Sequence, residues 1–305
     1  MRIGIVGAGG VGGYFGARLA AAGQDVAFVA RGKHLEAITA DGLVVHSPAG
    51  DLQLPVQATS DPAVIGVVDY VLICVKTWQL PEAIESIRPL VGPDTAIVTV
   101  QNGVEAPEQV AAVYGRGAVL PGAAEVIAYV EGPGVIRHLG NGKLNFGEWD
   151  NQVTSRVERL RDAIVASGLQ VRVPDDIWAA LWTKFLSVVP GGGLGTATGA
   201  PYGVLRAHPP TRRLLTSAIA EIRDVALARG ITLPEDVVPS TLAWIDQLPA
   251  DGTTSLQRDL IAGRPSELDA WTGAVVRLGA DAGVPTPVNT FLYELATARA
   301  LAAGN

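Results

Sequence analysis

Arg2-Ile3-Gly4-Ile5-Val6-Gly7-Ala8-Gly9-Gly10-Val11-Gly12 is the stretch on which the reading of this chain turns. Residues 2–6 read as a buried β-strand, and the G-x-G-x-x-G of residues 7–12 follows without a gap. Residues 13–22 then read as a helix of small residues. In that context the first glycine permits a tight turn, the second lets backbone approach a pyrophosphate, and the third lets helix and strand pack closely. The phosphates of a dinucleotide would lie at the helix N-terminus, where free N–H groups and the macrodipole attract anions. Gly7, Ala8, Gly9, Gly10, Val11 and Gly12 are therefore the expected cofactor loop. A glycine-rich βα turn without a ligand is the plain alternative.

Outward from this loop, the first half alternates strand and helix. Strand patterns fall at 26–30, 68–75, 97–100 and 118–120, and helix patterns at 11–22, 81–89 and 106–114. Such alternation predicts a parallel sheet with right-handed crossovers. Residues 126–129, 135–138 and 144–146 read as short antiparallel strands that finish the sheet. A helix at 153–167 and a strand at 169–173 follow. After Pro174 strand patterns vanish, and helices are predicted at 176–189, 210–229, 237–247, 255–262, 267–283 and 290–303. The expected organisation is α/β: a Rossmann-type nucleotide-binding domain over 1–174, then an all-α domain over 175–305.

Bulk properties narrow the function classes. The 305 residues carry 30 acidic against 23 basic side chains, a net charge of −7. With no run of basic residues, nucleic acid is not an expected partner. No uncharged apolar stretch reaches the roughly 18 residues of a membrane helix. The first apolar stretch is the cofactor strand itself, so no signal peptide is expected. The single cysteine, Cys74, lies in an apolar run and reads as a core residue. Together these features predict a cytoplasmic protein. No metal-ligand set is expected, and apolar helices in the second half leave room for a homodimer surface.

The end of the second strand bears on the choice of dinucleotide. NAD enzymes of this fold place an acidic residue there, about 20 residues past the glycines, to bind the ribose 2′-hydroxyl. Here the residue is Arg31, 19 positions after Gly12, and the nearest following acid is Glu36. A guanidinium pairs with a 2′-phosphate that a carboxylate would repel. NADP(H) is the expected cofactor; a plain surface charge is the alternative for Arg31. Lys33 reads as solvated and His34 as an exposed loop residue.

The chain resembles the ketopantoate reductase (2-dehydropantoate 2-reductase) family over nearly its whole length. The resemblance rests on the loop at 7–12 with Arg31, Val75-Lys76-Thr77-Trp78-Gln79, Gln101-Asn102-Gly103, Trp182-Thr183-Lys184-Phe185, and the segment from Ser255 to Glu267. It implies a Rossmann-type NADP domain followed by a helical domain of the 6-phosphogluconate-dehydrogenase type, with the active site in the cleft between. It also implies NADPH-dependent reduction of a small branched α-keto acid, in the pantothenate pathway.

Pattern and resemblance contribute differently at each candidate. On a helix, Trp178, Leu181, Trp182 and Phe185 form an apolar stripe with Lys184 at its border. Pattern alone leaves Lys184 either a surface lysine or a cation facing a cleft. The resemblance makes it the proton donor to the developing alkoxide. Lys76 and Asn102 each follow a buried strand, which puts them at the carboxyl edge of the sheet. The resemblance places both near the nicotinamide and its ribose, with Asn102 also on the substrate. It adds Ala128 as a backbone contact to the cofactor.

Ser255 and Glu267 match the family's substrate-side serine and glutamate, with Glu267 bonding a substrate hydroxyl or holding Lys184 protonated. Both also fit capping boxes, which is the structural alternative. One feature departs from the family: asparagines four and eight residues after the catalytic lysine are here Val188 and Gly192. The keto acid then differs, or backbone N–H groups of Gly191-Gly192-Gly193 replace the amides. Rival readings are another keto-acid reductase, a 6-phosphogluconate or β-hydroxyacid-type dehydrogenase, and a non-catalytic NADPH sensor.

Overall fold

The computed structural model describes residues 1–302. The chain forms two compact units. The first contains Met1–Gln101 and Ala106–Ile177; the second contains Asn102–Glu105 and the chain from Trp178 onward.

The first unit is built on a sheet of six parallel strands. They are β1 (Arg2–Val6), β2 (Asp25–Val29), β5 (Gln57–Thr59), β6 (Tyr70–Ile73), β7 (Ala96–Thr99) and β8 (Val119–Leu120). Their order across the sheet is β5-β2-β1-β6-β7-β8. Numbered within the sheet, this is the doubly wound order 3-2-1-4-5-6, with its switch point between β1 and β6. Side chains alternate between two cores. Ile3, Ile5, Tyr70, Leu72 and Val98 enter one, and Val6, Val71, Ile73 and Ile97 the other. A strand buried on both faces reads as a continuous apolar run, which is why these strands are legible in the sequence. Each such side chain contributes roughly 1.5–3 kcal/mol of burial. Helices α1 (Gly10–Ala21), α2 (Gly32–Asp41), α3 (Leu80–Ser86), α4 (Ala106–Tyr114) and α5 (Ser155–Ala166) complete the layers.

The expectation that short strands at 126–129, 135–138 and 144–146 finish this sheet is corrected. They belong to β9 (Gly122–Gly132) and β10 (Val135–Phe146), a long antiparallel hairpin. On its other edge β10 pairs in parallel with β3 (Leu43–His46) and with β11 (Gln170–Arg172), and β4 (Leu52–Leu54) pairs with β3, making a second sheet. Gly140-Asn141-Gly142 resembles a break between strands. It is instead a pair of register shifts within one strand, with Asn141 at φ 59° and Gly142 at φ 136°. Helix α2 and strands β3, β4 and β5 carry no strong periodicity, so they add to the elements expected from sequence.

The second unit is helical: α6 (Ile177–Thr198), α7 (Tyr202–Ala207), α8 (Pro209–Ala228), α9 (Val237–Gln247), α10 (Ser255–Ile261), α11 (Ala274–Ala282) and α12 (Pro287–Ala302). The predicted end of the last helix at 303 lies outside the described residues. Helix α8 buries Leu215, Ala218, Ile219, Ile222, Val225 and Ala226, one face at helical spacing. Its Glu221 carboxylate accepts from the backbone N–H groups of Val288 (2.8 Å) and Asn289 (2.9 Å), satisfying free donors at the start of α12.

Helix α6 does not end at 189 as expected; it runs through Pro190 and the glycines to Thr198. Close neighbours explain the glycines there. A Cβ at Gly191 would sit 2.4 Å from the Tyr202 hydroxyl, and one at Gly195 2.4 Å from Gln257 Oε1. No described helix is long and apolar enough to cross a membrane.

Candidate functional site

The glycine loop sits where β1 and β6 end side by side at the switch point. Gly7 adopts φ 99°, a left-handed conformation that strains any side-chain-bearing residue, and donates its N–H to Val29 O (3.1 Å). A Cβ at Gly12 would lie 2.0 Å from Gly7 O, so the third glycine closes helix onto strand. Gly9 caps α1 without a side-chain bond, and a Cβ there would meet nothing within 4 Å. The turn is thus packed tightly at its first and last glycines and open at the middle one, beside a helix N-terminus. That is the shape a pyrophosphate requires, so these residues fit a dinucleotide.

Two further residues shape the loop. A Cβ at Gly10 would stand 2.4 Å from the carbonyl oxygen of Ala128, so β9 lies directly against the loop. His34 is not the exposed loop residue expected from sequence. Gly134 donates its N–H to His34 Nδ1 (3.0 Å), so Nδ1 is the bare nitrogen. Nε2 then carries the proton and donates to Ala8 O (2.8 Å). One imidazole therefore ties the glycine loop to the turn between β9 and β10. Its partners are 26 and 100 residues away, so no local pattern discloses it.

Arg31 stands at the end of β2 as the residue preceding α2. Its guanidinium is exposed and pairs with Glu82 (2.7 Å). An exposed ion pair is worth about 0–1 kcal/mol, which leaves the guanidinium open to exchange for a doubly charged phosphate. Lys76 follows β6, is half-buried, and donates its backbone N–H to Gln79 Oε1 (3.3 Å). The neighbouring Cys74 packs against the core, and desolvation pushes its thiol up to about 12, as suits an inert core cysteine.

The helical unit carries the other candidates. Lys184 and Val188 are half-buried, and Gly192 is buried. They follow one another at four-residue intervals along α6. A Cβ at Gly192 would meet Leu256 Cδ2 and Trp271 Cε3 and Cζ3, each at 3.1 Å. Helix α6 is therefore packed against the segments bearing Ser255 and Glu267. Trp271 and Leu256 fill the space beside Gly192. The expectation that glycine N–H groups replace the missing amides is corrected: these residues lie inside a helix, where each N–H points to the carbonyl four residues back.

Ser255 is the first residue of α10, but its cap is Thr254, whose hydroxyl accepts from Gln257 N (3.1 Å). This is the capping pattern expected over Thr254-Ser255-Leu256-Gln257, in which Ser255 opens the helix. Glu267 is 6% exposed, so its carboxylate is withdrawn from water. It does not open an α-helix. Asp269–Gly273 form a wide π-turn, with Gly273 N donating to Leu268 O (3.1 Å), before α11 begins. Single π-turns recur at functional sites. Asp259, a weaker candidate, pairs with Arg264 (2.8 Å). Asn102 belongs with this unit, in the loop Asn102–Glu105.

Comparison with known proteins agrees with this architecture. Residues 3–151 match the family model described as ketopantoate reductase PanE/ApbA, and residues 176–300 match its C-terminal counterpart. The chain belongs to the ketopantoate reductase family. Among ketopantoate reductase relatives, the 2-dehydropantoate 2-reductase of Mesorhizobium japonicum is 34% identical over 99% of this chain and 98% of its own length. A PanE/ApbA family ketopantoate reductase structure from Ralstonia eutropha superposes with a TM-score of 0.92 at 31% identity, covering all of both chains. A D-mandelate dehydrogenase solved with NADH and anilino(oxo)acetate also superposes with a TM-score of 0.92, at 25% identity over all of both chains.

Proposed function

We propose that this ketopantoate reductase family member is an oxidoreductase that uses NADPH to reduce the ketone of 2-dehydropantoate to the alcohol of pantoate. The observation that carries the proposal is the end-to-end likeness to the Mesorhizobium japonicum 2-dehydropantoate 2-reductase, on a fold whose glycine loop is open at Gly9. Bound NADPH supplies a hydride, both electrons included, to the carbonyl carbon. The chain's own residues do the rest. The loop at 7–12 holds the pyrophosphate and Arg31 pairs with the 2′-phosphate. Lys76, Asn102 and Ala128 position the nicotinamide half. Lys184 delivers a proton from Nζ to the carbonyl oxygen as its charge grows, and its positive charge stabilises the alkoxide before transfer. Ser255 and Asn102 orient the substrate, and Glu267 accepts from a substrate hydroxyl or from the lysine ammonium.

A second reading is reduction of a different 2-keto acid, one with an apolar tail. Val188 and Gly192 continue the Lys184 stripe without a polar side chain, and Trp271 packs on it. The likeness to a D-mandelate dehydrogenase points the same way and makes NADH the competing cofactor. One experiment separates these readings: loss of reduced-nicotinamide absorbance with each cofactor, on 2-dehydropantoate and on a panel of aliphatic and aryl 2-keto acids. A highest kcat/KM on 2-dehydropantoate with NADPH supports the first. A clear preference for an apolar keto acid overturns it in favour of the second. Tight NADPH binding without turnover on any substrate overturns both and leaves a sensor.

A further inference from the structure

We infer that Arg277 is a positioning residue, which holds the loop bearing Asn102 and the turn following Glu267 on a single guanidinium. The inference rests on the roles just proposed for Asn102 and Glu267. It starts from where the chain divides. The boundaries of the first unit fall at Gln101 and Ala106, so the four residues between them leave the sheet's unit and return to it. Gln101 is anchored on the sheet side. It is 5% exposed, its Oε1 accepts from Val100 N (3.1 Å), and its Nε2 donates to Ile73 O (2.8 Å) and Val75 O (3.1 Å). Ala106 is equally fixed as the first residue of α4. Asn102–Glu105 is held by other partners.

Those partners converge on Arg277. Its Nη2 donates to Glu105 Oε2 (2.9 Å) and to the Asp269 carbonyl (3.1 Å), while Nη1 donates to Asp269 Oδ1 (2.7 Å). Tyr293 donates its hydroxyl to the same Asp269 oxygen (3.0 Å) and steadies the carboxylate. Gly103, at φ 149°, is close enough to the π-turn that a Cβ on it would sit 3.3 Å from Ala270 O. Glu105 is three residues from Asn102, and Asp269 two from Glu267. One planar fork therefore sets both functional side chains in a common frame. Lysine has the charge but not the fixed fork. These side chains are partly exposed, so the pairs add little stability. Their consequence is geometric, and catalysis is steeply sensitive to placement.

The test compares the intact protein with Arg277→Ala, Glu105→Ala and the double variant. Two readouts are taken: amide hydrogen exchange at Gly103, Val104 and Glu105, and kcat/KM on the best keto acid of the panel. Arg277→Ala should speed exchange at these amides without changing it in β6. It should lower kcat/KM roughly ten- to a hundred-fold, by misplacement alone. The fall should exceed any change in Kd for NADPH, whose pyrophosphate loop is elsewhere. The double variant should be no worse than the poorer single one, because both remove the same link. Arg277→Lys should recover only part of the loss. Unchanged exchange at 103–105, or losses that simply add, would overturn the inference. Should Arg277→Ala fail to fold, Glu105→Ala alone is read by the same two measurements, and unchanged exchange there overturns the inference equally. If wild type turns over no keto acid, the proposed function fails, and the exchange readout still tests the clamp.

Discussion

Replacing His34 by alanine is a sharp test of how the cofactor loop is held. The substitution removes two hydrogen bonds, Nε2–H to Ala8 O at 2.8 Å and Gly134 N–H to Nδ1 at 3.0 Å. At about 0.5–1.5 kcal/mol each, the two contribute roughly 1–3 kcal/mol. Only the Ala8 bond lies on the glycine loop. If the loop must be re-ordered when NADPH binds, that single bond enters the binding free energy. A loss of about 0.5–1.5 kcal/mol is a two- to tenfold rise in Kd. The assay is a fluorescence titration of NADPH against wild type, His34→Ala and His34→Gln, with far-UV circular dichroism to verify folding. Glutamine retains one donor and one acceptor and should restore part of the affinity. A folded His34→Ala protein with wild-type Kd would refute the idea that the imidazole preorganises the loop.

Other outcomes follow from the same geometry. Lys184→Ala should lower kcat about a hundred-fold or more while NADPH still binds; unchanged turnover would remove Lys184 from the proton transfer. Arg31→Asp should shift the ratio of kcat/KM values from NADPH toward NADH, and an unmoved ratio would count against 2′-phosphate pairing. Gly192→Asn should cost about 1–3 kcal/mol of stability, because the new side chain meets Leu256 and Trp271; a gain in 2-dehydropantoate turnover without destabilisation would show that the site has room for the amide. Cys74 is partly buried and its thiol is pushed up to about 12 by desolvation, so it should label with iodoacetamide at pH 8 more slowly than in the unfolded chain. Its neutral thiol favours the fold at neutral pH, and that preference weakens above pH 9, where the unfolded chain ionises. Native labelling as fast as in the unfolded chain would contradict the desolvation of the thiol.

Much of the site is legible in the sequence because it is built from contiguous residues. Residues 2–12 form one strand, one turn and the start of one helix, so local pattern suffices to recognise them. The apolar runs of β6 and β7 likewise locate Lys76 and Asn102 at strand ends. The hairpin of β9 and β10 reads as shorter strands because register shifts at Gly140 and Asn141 look, in sequence, like strand termini. Helix α6 reads too short because Pro190 and four glycines oppose helix propensity, and packing against Tyr202, Trp271 and Gln257 overrides it. The cap of α10 is made by Thr254, where the pattern Thr254-Ser255-Leu256-Gln257 puts it, because a cap and the N–H it satisfies lie only three residues apart.

The amino-acid order by itself determined the family, the doubly wound sheet, the helical second half and the loop suited to a dinucleotide. These depend on short-range periodicity and on glycine spacing, which a linear string preserves. Tertiary structure alone decided that His34 bridges Ala8 and Gly134, that Trp271 fills the space beside Gly192, and that Arg277 reaches Glu105 across 172 residues. A hydrogen bond or a packed ring requires two groups within a few ångströms of each other. Separation along the chain does not encode that distance until the fold has closed.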